Sequence, residues 1–149
     1  VYFCSVPQGQ EENYDIAIEN GVWGVPDRFA SQLDPVKKDN FILFSVTARG
    51  FYLHRISSDP FVDQRQLWEG PDSYQNRVKI GRAIESNESL RLRDVWDCLF
   101  DKSGQRYRSL NSAAMSLKGG GAVFRMLRNS ESSCLGERLQ WTSLSPNDR

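Results

Sequence analysis

With one histidine, three cysteines and two methionines in 149 residues, the chain has little from which to build a metal centre or a cysteine–histidine catalytic pair. Cys4, Cys98 and Cys134 are odd in number and show no Cys-x-x-Cys spacing, so nothing in the sequence suggests structural zinc or a disulfide framework. They read as small buried hydrophobes of a reducing, intracellular (cytoplasmic) protein. No apolar run approaches the roughly 20 residues a membrane helix needs. An excess of either charge is also absent: 19 basic residues balance 19 acidic ones. A protein that holds nucleic acid mainly through bulk counterion release is thereby excluded, and any such affinity has to come from a local site. The first residues, Val1, Tyr2, Phe3 and Cys4, lack both an initiator Met and a signal-peptide layout, so the chain reads as a domain excised from something longer.

What is present is an ordinary globular composition, 39% hydrophobic and 26% charged, at a length that suits one domain with a self-sufficient core. We place that domain at 1–142 and a polar tail at 143–149. Val1 to Val6 is a short apolar strand. Glu11 to Asn20 predicts a helix, with Tyr14, Ala17 and Ile18 on one face and Asn20-Gly21 as a left-handed stop. Trp23 then falls in a loop ahead of Gly24 and Pro26. A short helix over Asp27 to Leu33 leads to a strand at Phe41 to Val46, whose continuous apolar character suits burial on both faces, and to its hairpin partner at Phe51 to Ile56.

Ser57 to Ser73 reads as a long loop that nonetheless carries Phe61, Leu67 and Trp68, and loops of that length inside compact domains are usually functional. Arg77 to Ala83 alternates basic and apolar residues, predicting a strand with Arg77, Lys79 and Arg82 on a solvated face. Leu90 to Phe100 predicts an amphipathic helix, Ser112 to Leu117 a short one, Lys118 to Gly121 a tight turn, and Ala122 to Leu127 a last strand. From Arg128 the chain turns polar. Strands mixed with short helices around a small sheet make an α+β, barrel-like fold.

Trp23 and Trp68 carry the chemistry. Most tryptophans in a small domain are core, as Trp96 is on its apolar helix face, but these two fall in loops beside glycines. Such a pair can sandwich a flat ring, with stacking worth roughly 1 to 3 kcal/mol per base. A methyl group enclosed there adds roughly 0.8 kcal/mol of apolar burial. Asn13, at the start of the first helix, offers a donor and an acceptor to a base edge, or else caps the helix. His54 lies inside a strand without a carboxylate partner and reads as structural. Asp59 and Asp63 lack a third metal ligand nearby, and the sequence calls for no cofactor and no metal.

Asn13, Asn20-Gly21-Val22-Trp23, the strand Phe41 to Val46 and Gly50-Phe51 together resemble the YTH domains, in order and spacing, over about the first 60 residues. Leu67-Trp68, Tyr74 and Arg77-Val78 also resemble the related EVE and other PUA-like domains of prokaryotic modification-dependent restriction proteins. The resemblance implies a PUA-like (YTH/EVE-type) curved mixed sheet or small barrel with flanking helices. It also implies a non-enzymatic module that binds N6-methyladenine in an aromatic cage. Trp23 and Trp68 match the cage tryptophans and Tyr74 falls near the third wall. Gly24 stands where a main-chain carbonyl accepts from the methylated amino group, Asn13 matches the residue on the base edge, and Ser5 matches a Ser ahead of it.

The family's basic groove is not apparent, and Arg106 and Arg108 correspond only approximately to its phosphate-gripping Arg. Lys37, Lys38, Arg77, Lys79 and Lys118 are candidate phosphate contacts, though each by itself reads more readily as a solvated surface charge. With no charge excess, the expectation is a methylated-DNA-targeting domain of a restriction or defence protein that flips its base and is fused to or partnered with an effector domain. A YTH-type reader of RNA is the alternative. Readers of another base such as 5-methylcytosine, a protein-interaction or small-ligand module, and a hydrolase using His54 are further rivals.

Overall fold

In the computed structural model, which describes residues 1–69, 74–101, 103–118 and 124–144 (backbone only for Lys118 and Ser143), the apolar runs of the sequence become the spine of one mixed sheet. Along the chain run β1 (Tyr2–Val6), α1 (Glu11–Asn20), β2 (Val22–Val25), a 3-10 segment (Asp27–Leu33), β3 (Phe41–Val46), β4 (Gly50–Ile56), β5 (Phe61–Val62) and β6 (Asn76–Asn87). After them come α2 (Leu92–Val95), a 3-10 turn (Trp96–Cys98), α3 (Leu110–Lys118), β7 (Phe124–Met126), α4 (Asn129–Leu139) and a final 3-10 turn (Thr142–Leu144). The expected turn at Gly119–Gly121, the first residues of the last strand, the end of the long loop at 70–73 and residues 145–149 lie outside the described residues.

The sheet order is β2-β6-β4-β3-β1-β7, with β5 also pairing β6, and its one parallel pair among the described residues is β1 with β3. These two strands are buried on both faces, which is why their sequences run apolar without alternation. Tyr2, Cys4, Val6, Ile42, Phe44 and Val46 face a core that includes α1 and β2, while Phe3 and Leu43 face a second core under α2, α3 and α4. The twelve residues of β6 serve two partners, pairing β2 and β5 near Arg77 and β4 from Ile80 onward. Register shifts in β4 around His54 bend the ladder there, and the sheet curls into a half-barrel with flanking helices. The expected α+β, YTH-like architecture is what the chain forms.

Several elements differ from the sequence expectation. Trp23 is on strand β2 and not in a loop. Ile18 on α1 is exposed, whereas Tyr14 and Ala17 are buried. The helix expected over Leu90 to Phe100 breaks after a single turn, because Leu99 goes extended: its carbonyl accepts from Tyr107 N–H, and Phe100 bridges to Arg106. The polar stretch after Arg128 conceals α4. Leu135 and Leu139 are the large apolar residues of its buried face, which also carries Ser132, Gly136 and Glu131, whose carboxylate is met by Arg125 at 2.7 Å and by the amides of Phe100 and Arg128. Trp141 and Leu144 complete the second core, so packing continues two residues past the boundary expected at 142.

The thiol assignment also needs correction. Cys4 is a free buried cysteine as expected, but Cys98 and Cys134 form a disulfide. The turn at Trp96–Cys98 packs on α4, bringing their Cα atoms to 5.4 Å. Sequence separation hid this pairing, since the two are 36 positions apart. Closing a loop of that size stabilises a domain by roughly 4 kcal/mol. Reduction, or the double substitution Cys98→Ala/Cys134→Ala, is expected to lower the urea midpoint accordingly; coincident unfolding curves with and without reductant would remove the disulfide from the stability of this domain.

Candidate functional site

Helix α1 ends in the left-handed turn of Gly21 (φ 67°), and the chain enters β2 at once, so Trp23 follows from a helix stop the sequence announces. Trp23 packs edge-on against Phe44 at 4.9 Å between ring centroids. Trp68 arrives from the β5–β6 loop, 55 residues from Asn13, and its Nε1–H donates to the Asn13 carbonyl at 3.0 Å. The two indole centroids are 6.3 Å apart at 73°, and Tyr74 meets Trp68 at 5.7 Å and 70°. These rings form a corner and not two parallel plates. Together with Asn13, Ser5 and Gly24 they line a cavity of about 180 Å³. A dry cavity of about 150 Å³ holds one benzene ring, so the space suits a single flat ring system.

Asn13 lies inside the first turn of α1, behind Gln10 as the N-terminal flanking residue, so it is not the cap. Its amide side chain has no hydrogen-bond partner among the described residues, while its main-chain carbonyl holds Trp68. Gly24 is required by packing. A Cβ at this position would collide with the Tyr74 carbonyl oxygen and come within 3.0 Å of Trp68 Cζ3 and 3.1 Å of Tyr74 Cβ. Register decides what its backbone can do: Ile80 N–H donates to the Gly21 carbonyl, so the ladder alternation leaves Gly24, paired with Arg77, at a non-hydrogen-bonded position. Its carbonyl therefore points away from β6, toward the outer edge of β2 that no described strand covers.

Of the candidate phosphate contacts, Arg77 must be withdrawn. Its side chain has no exposure: Nε–H donates to the Tyr74 carbonyl at 3.0 Å and Nη2 to the Arg65 carbonyl, Nη1 lies 3.2 Å from Asp63 Oδ2, and the guanidinium stands over the Trp68 ring at 5.3 Å. The alternation that predicted a solvated face fails here because the β5–β6 connection packs on that face, bringing Asp63, the Arg65 and Tyr74 carbonyls and the Trp68 ring onto the guanidinium. Lys37, Lys38 and Lys79 are exposed and gather around the Ser58–Asp59 turn, whose side chains accept from the amides of Lys38 and Lys79; none of the three lines the cavity. The side chain of Lys118 is outside the described residues.

The cation at the cavity is Arg28, which the sequence reading passed over, together with Gln32 and Gln10. Arg28 stands 5.0 Å over the Phe29 ring. Arg28 and Gln32 are four residues apart in the helical segment directly after the Trp23 strand, and that proximity was the available signal. A second groove of about 480 Å³ shares Ser5 and Pro7 with the cavity and continues past Arg91 and Arg93. No group of three metal-ligating side chains occurs among the described residues, and Asp59 and Asp63 serve Lys38 and Arg77 instead.

His54 is fully buried behind the site. Its Nδ1 faces the Gly81 carbonyl at 2.8 Å, so that nitrogen carries the proton, and Nε2 accepts from the Tyr14 hydroxyl at 2.7 Å. Both ring nitrogens are thus engaged inside the core, which removes the basis for a His54 hydrolase. Burial lowers the His54 pKa below its usual 6.5. The neutral form is the folded one, so its contribution to stability is complete above pH 6.5 and declines as pH falls from there toward the lowered value. Since this is the only histidine, thermal melts between pH 7.5 and 5.5 are expected to show a decline that His54→Gln flattens; an equal slope in both proteins refutes it. Gly24→Ala is expected to displace Trp68 and Tyr74 while leaving the sheet intact, seen as a shifted Trp68 indole resonance in a dispersed amide spectrum. An unmoved indole signal would contradict the packing described.

By sequence, no protein-family model and no curated protein matches this chain. Solved structures do match by shape. The YTH domain-containing protein mmi1, solved as a complex with RNA, superposes with a TM-score of 0.58 at 13% identity, covering 99% of this chain and 87% of that one. The YTH domain of Zygosaccharomyces rouxii MRB1, solved in complex with N6-methyladenosine RNA, gives a TM-score of 0.51 at 18% identity over 85% of this chain and 88% of that one. Curled mixed sheet, flanking helices and near-complete coverage agree: this chain has the fold of the YTH domains.

Proposed function

We propose that this domain is a reader of N6-methyladenine in RNA, binding one methylated base in the cavity between Trp23, Trp68 and Tyr74. The observation that carries the reading is the convergence of those rings with Asn13 on a space sized for one flat ring. The base stacks on one indole and meets the other edge-on, so the methyl group is enclosed at the corner. Stacking at roughly 1 to 3 kcal/mol supplies most of the affinity. The Asn13 amide reads the base edge, and the outward carbonyl of Gly24 accepts the proton of the methylated amino group.

RNA takes precedence over the DNA target that neutral charge favoured, because both structural neighbours were solved with RNA and one of them with N6-methyladenosine. Backbone contacts in this reading come from Arg28 at the rim and from the adjoining groove at Arg93, with Lys37, Lys38 and Lys79 adding an exposed basic surface. The path from cavity to groove runs over Ser5 and Pro7, which belong to both. An effector, fused or separate, acts on what this module binds, and the module performs no chemistry itself.

Titration with one oligonucleotide sequence as RNA and as DNA, each carrying N6-methyladenine, 5-methylcytosine or no modification, tests the assignment. Methylated-adenine RNA is expected to bind tightest. Trp23→Ala and Trp68→Ala are each expected to weaken it by about 5- to 150-fold, the equivalent of one lost stacking contact, and Asn13→Leu to reduce the preference for adenine. Equal binding of methylated and unmethylated RNA by the wild-type protein would sink the reading; tighter binding of methylated DNA would restore the DNA target.

A further inference from the structure

We propose that Arg77 is the positioning residue of this site, holding the Trp68 wall in place from behind without touching the bound base. The inference rests on the reader function just given and adds to it the means by which the pocket stays formed when empty. The Arg77 guanidinium has no exposure to water, and the groups it bonds or stacks on belong to one stretch of chain, the connection from β5 to β6. It donates to the main-chain carbonyls of Arg65 and Tyr74, lies 3.2 Å from the Asp63 carboxylate, and backs the indole of Trp68 at 5.3 Å. Residues 63, 65, 68 and 74 are thus referred to a single rigid, planar group anchored on the sheet.

Among its described residues the connection is also tied by Asp63 N–H to the Gln75 carbonyl and by Arg65 N–H to the Asp63 carboxylate. Outside the Arg77 contact, Trp68 is held by the Asn13 carbonyl, by the rings of Trp23 and Tyr74, and by Gln66, whose side-chain amide donates to the Trp68 carbonyl. Tyr74, the residue re-entering the sheet, stands at φ 47°, a left-handed conformation that a side-chain-bearing residue keeps only when its surroundings impose it. The Arg77 bond to its carbonyl is one such constraint, and the close approach of Gly24 is the other. A buried charge cannot be left unmatched, so the carbonyls of Arg65 and Tyr74 and the carboxylate of Asp63 are drawn to Arg77 whether or not a base is bound. Trp68 is then presented already oriented, and binding does not have to order it.

Lysine would keep the charge at 77 but lacks the planar fork that reaches two carbonyls at once. Methionine would keep much of the length and remove the charge. Wild type, Arg77→Lys and Arg77→Met are compared by the indole resonance of Trp68, assigned with Trp68→Phe, and by titration with methylated and unmethylated RNA of one sequence. Both variants are expected to shift or broaden the Trp68 indole signal. The preference for methylated RNA is expected to fall by about tenfold in Arg77→Met, with part of it kept in Arg77→Lys.

A wild-type indole position together with a wild-type preference in either variant overturns the proposal. Should Arg77→Met not fold, Arg77→Lys alone decides, and Asp63→Asn, at an exposed carboxylate, is expected to move the same indole signal in the same direction. If the wild-type protein shows no methyl preference, the reader function fails. The Trp68 resonance in the variants still decides the positioning role.

Discussion

A guanidinium that no water reaches has to be answered by the protein around it, and here the answer is given by the segment that carries Trp68. Arg77 draws two carbonyls and a carboxylate of that connection onto one group. It does so at the point where β6 is flanked by β2 on one side and β5 on the other, so the charge is braced by the sheet. Opposite it in register stands Gly24, whose missing side chain leaves the room that Trp68 and Tyr74 occupy. Arg77 and Gly24 form one device, in which a large cation on one strand and an absent side chain on its neighbour together place two rings.

Beneath this device the sheet divides the molecule into two halves with different duties. One face carries α1, β2 and the cavity, with His54 and Tyr14 tying β4 to the helix that bears Asn13. The other face is buttressed by α2, α3 and α4, where the Glu131–Arg125 pair fastens α4 to β7 and the Cys98–Cys134 disulfide fastens it to the Trp96–Cys98 turn. β1 and β3 contribute alternate residues to both cores, so the site rests on strands that are themselves packed from behind. Zero net charge is compatible with binding because the cavity can supply affinity through ring stacking and burial, with cations confined to its rim and the adjoining groove.

Much of this was legible in the sequence where short-range rules apply. The bounds of α1 and β3, the stop at Gly21 and the helical segment after β2 follow from capping, periodicity and burial on two faces, all of which are local. Trp23, Trp68, Tyr74, Asn13, Ser5 and Gly24 were identified from spacing and resemblance, and the fold brings all six to one cavity. What failed were statements about which way a polar residue faces. Arg77 was assigned to solvent by alternation, yet the β5–β6 connection covers it; α4 was passed over because its buried face includes Glu131, whose partner Arg125 lies on β7.

The sequence by itself determined most of the elements, the curled α+β fold through its resemblance, and the residue types gathered at the cavity: flat rings, one amide, a glycine carbonyl. Tertiary structure alone decided that the indoles meet as a corner at 73° and that Arg28, not the lysines, lines the cavity. It also decided that Cys98 and Cys134 pair and that Arg77 works from inside. The reason is the same in each case. Capping and periodicity act over a few residues, whereas a ring angle, a disulfide or the burial of a charge depends on segments far apart in sequence, such as Asn13 and Trp68, whose approach no local pattern encodes.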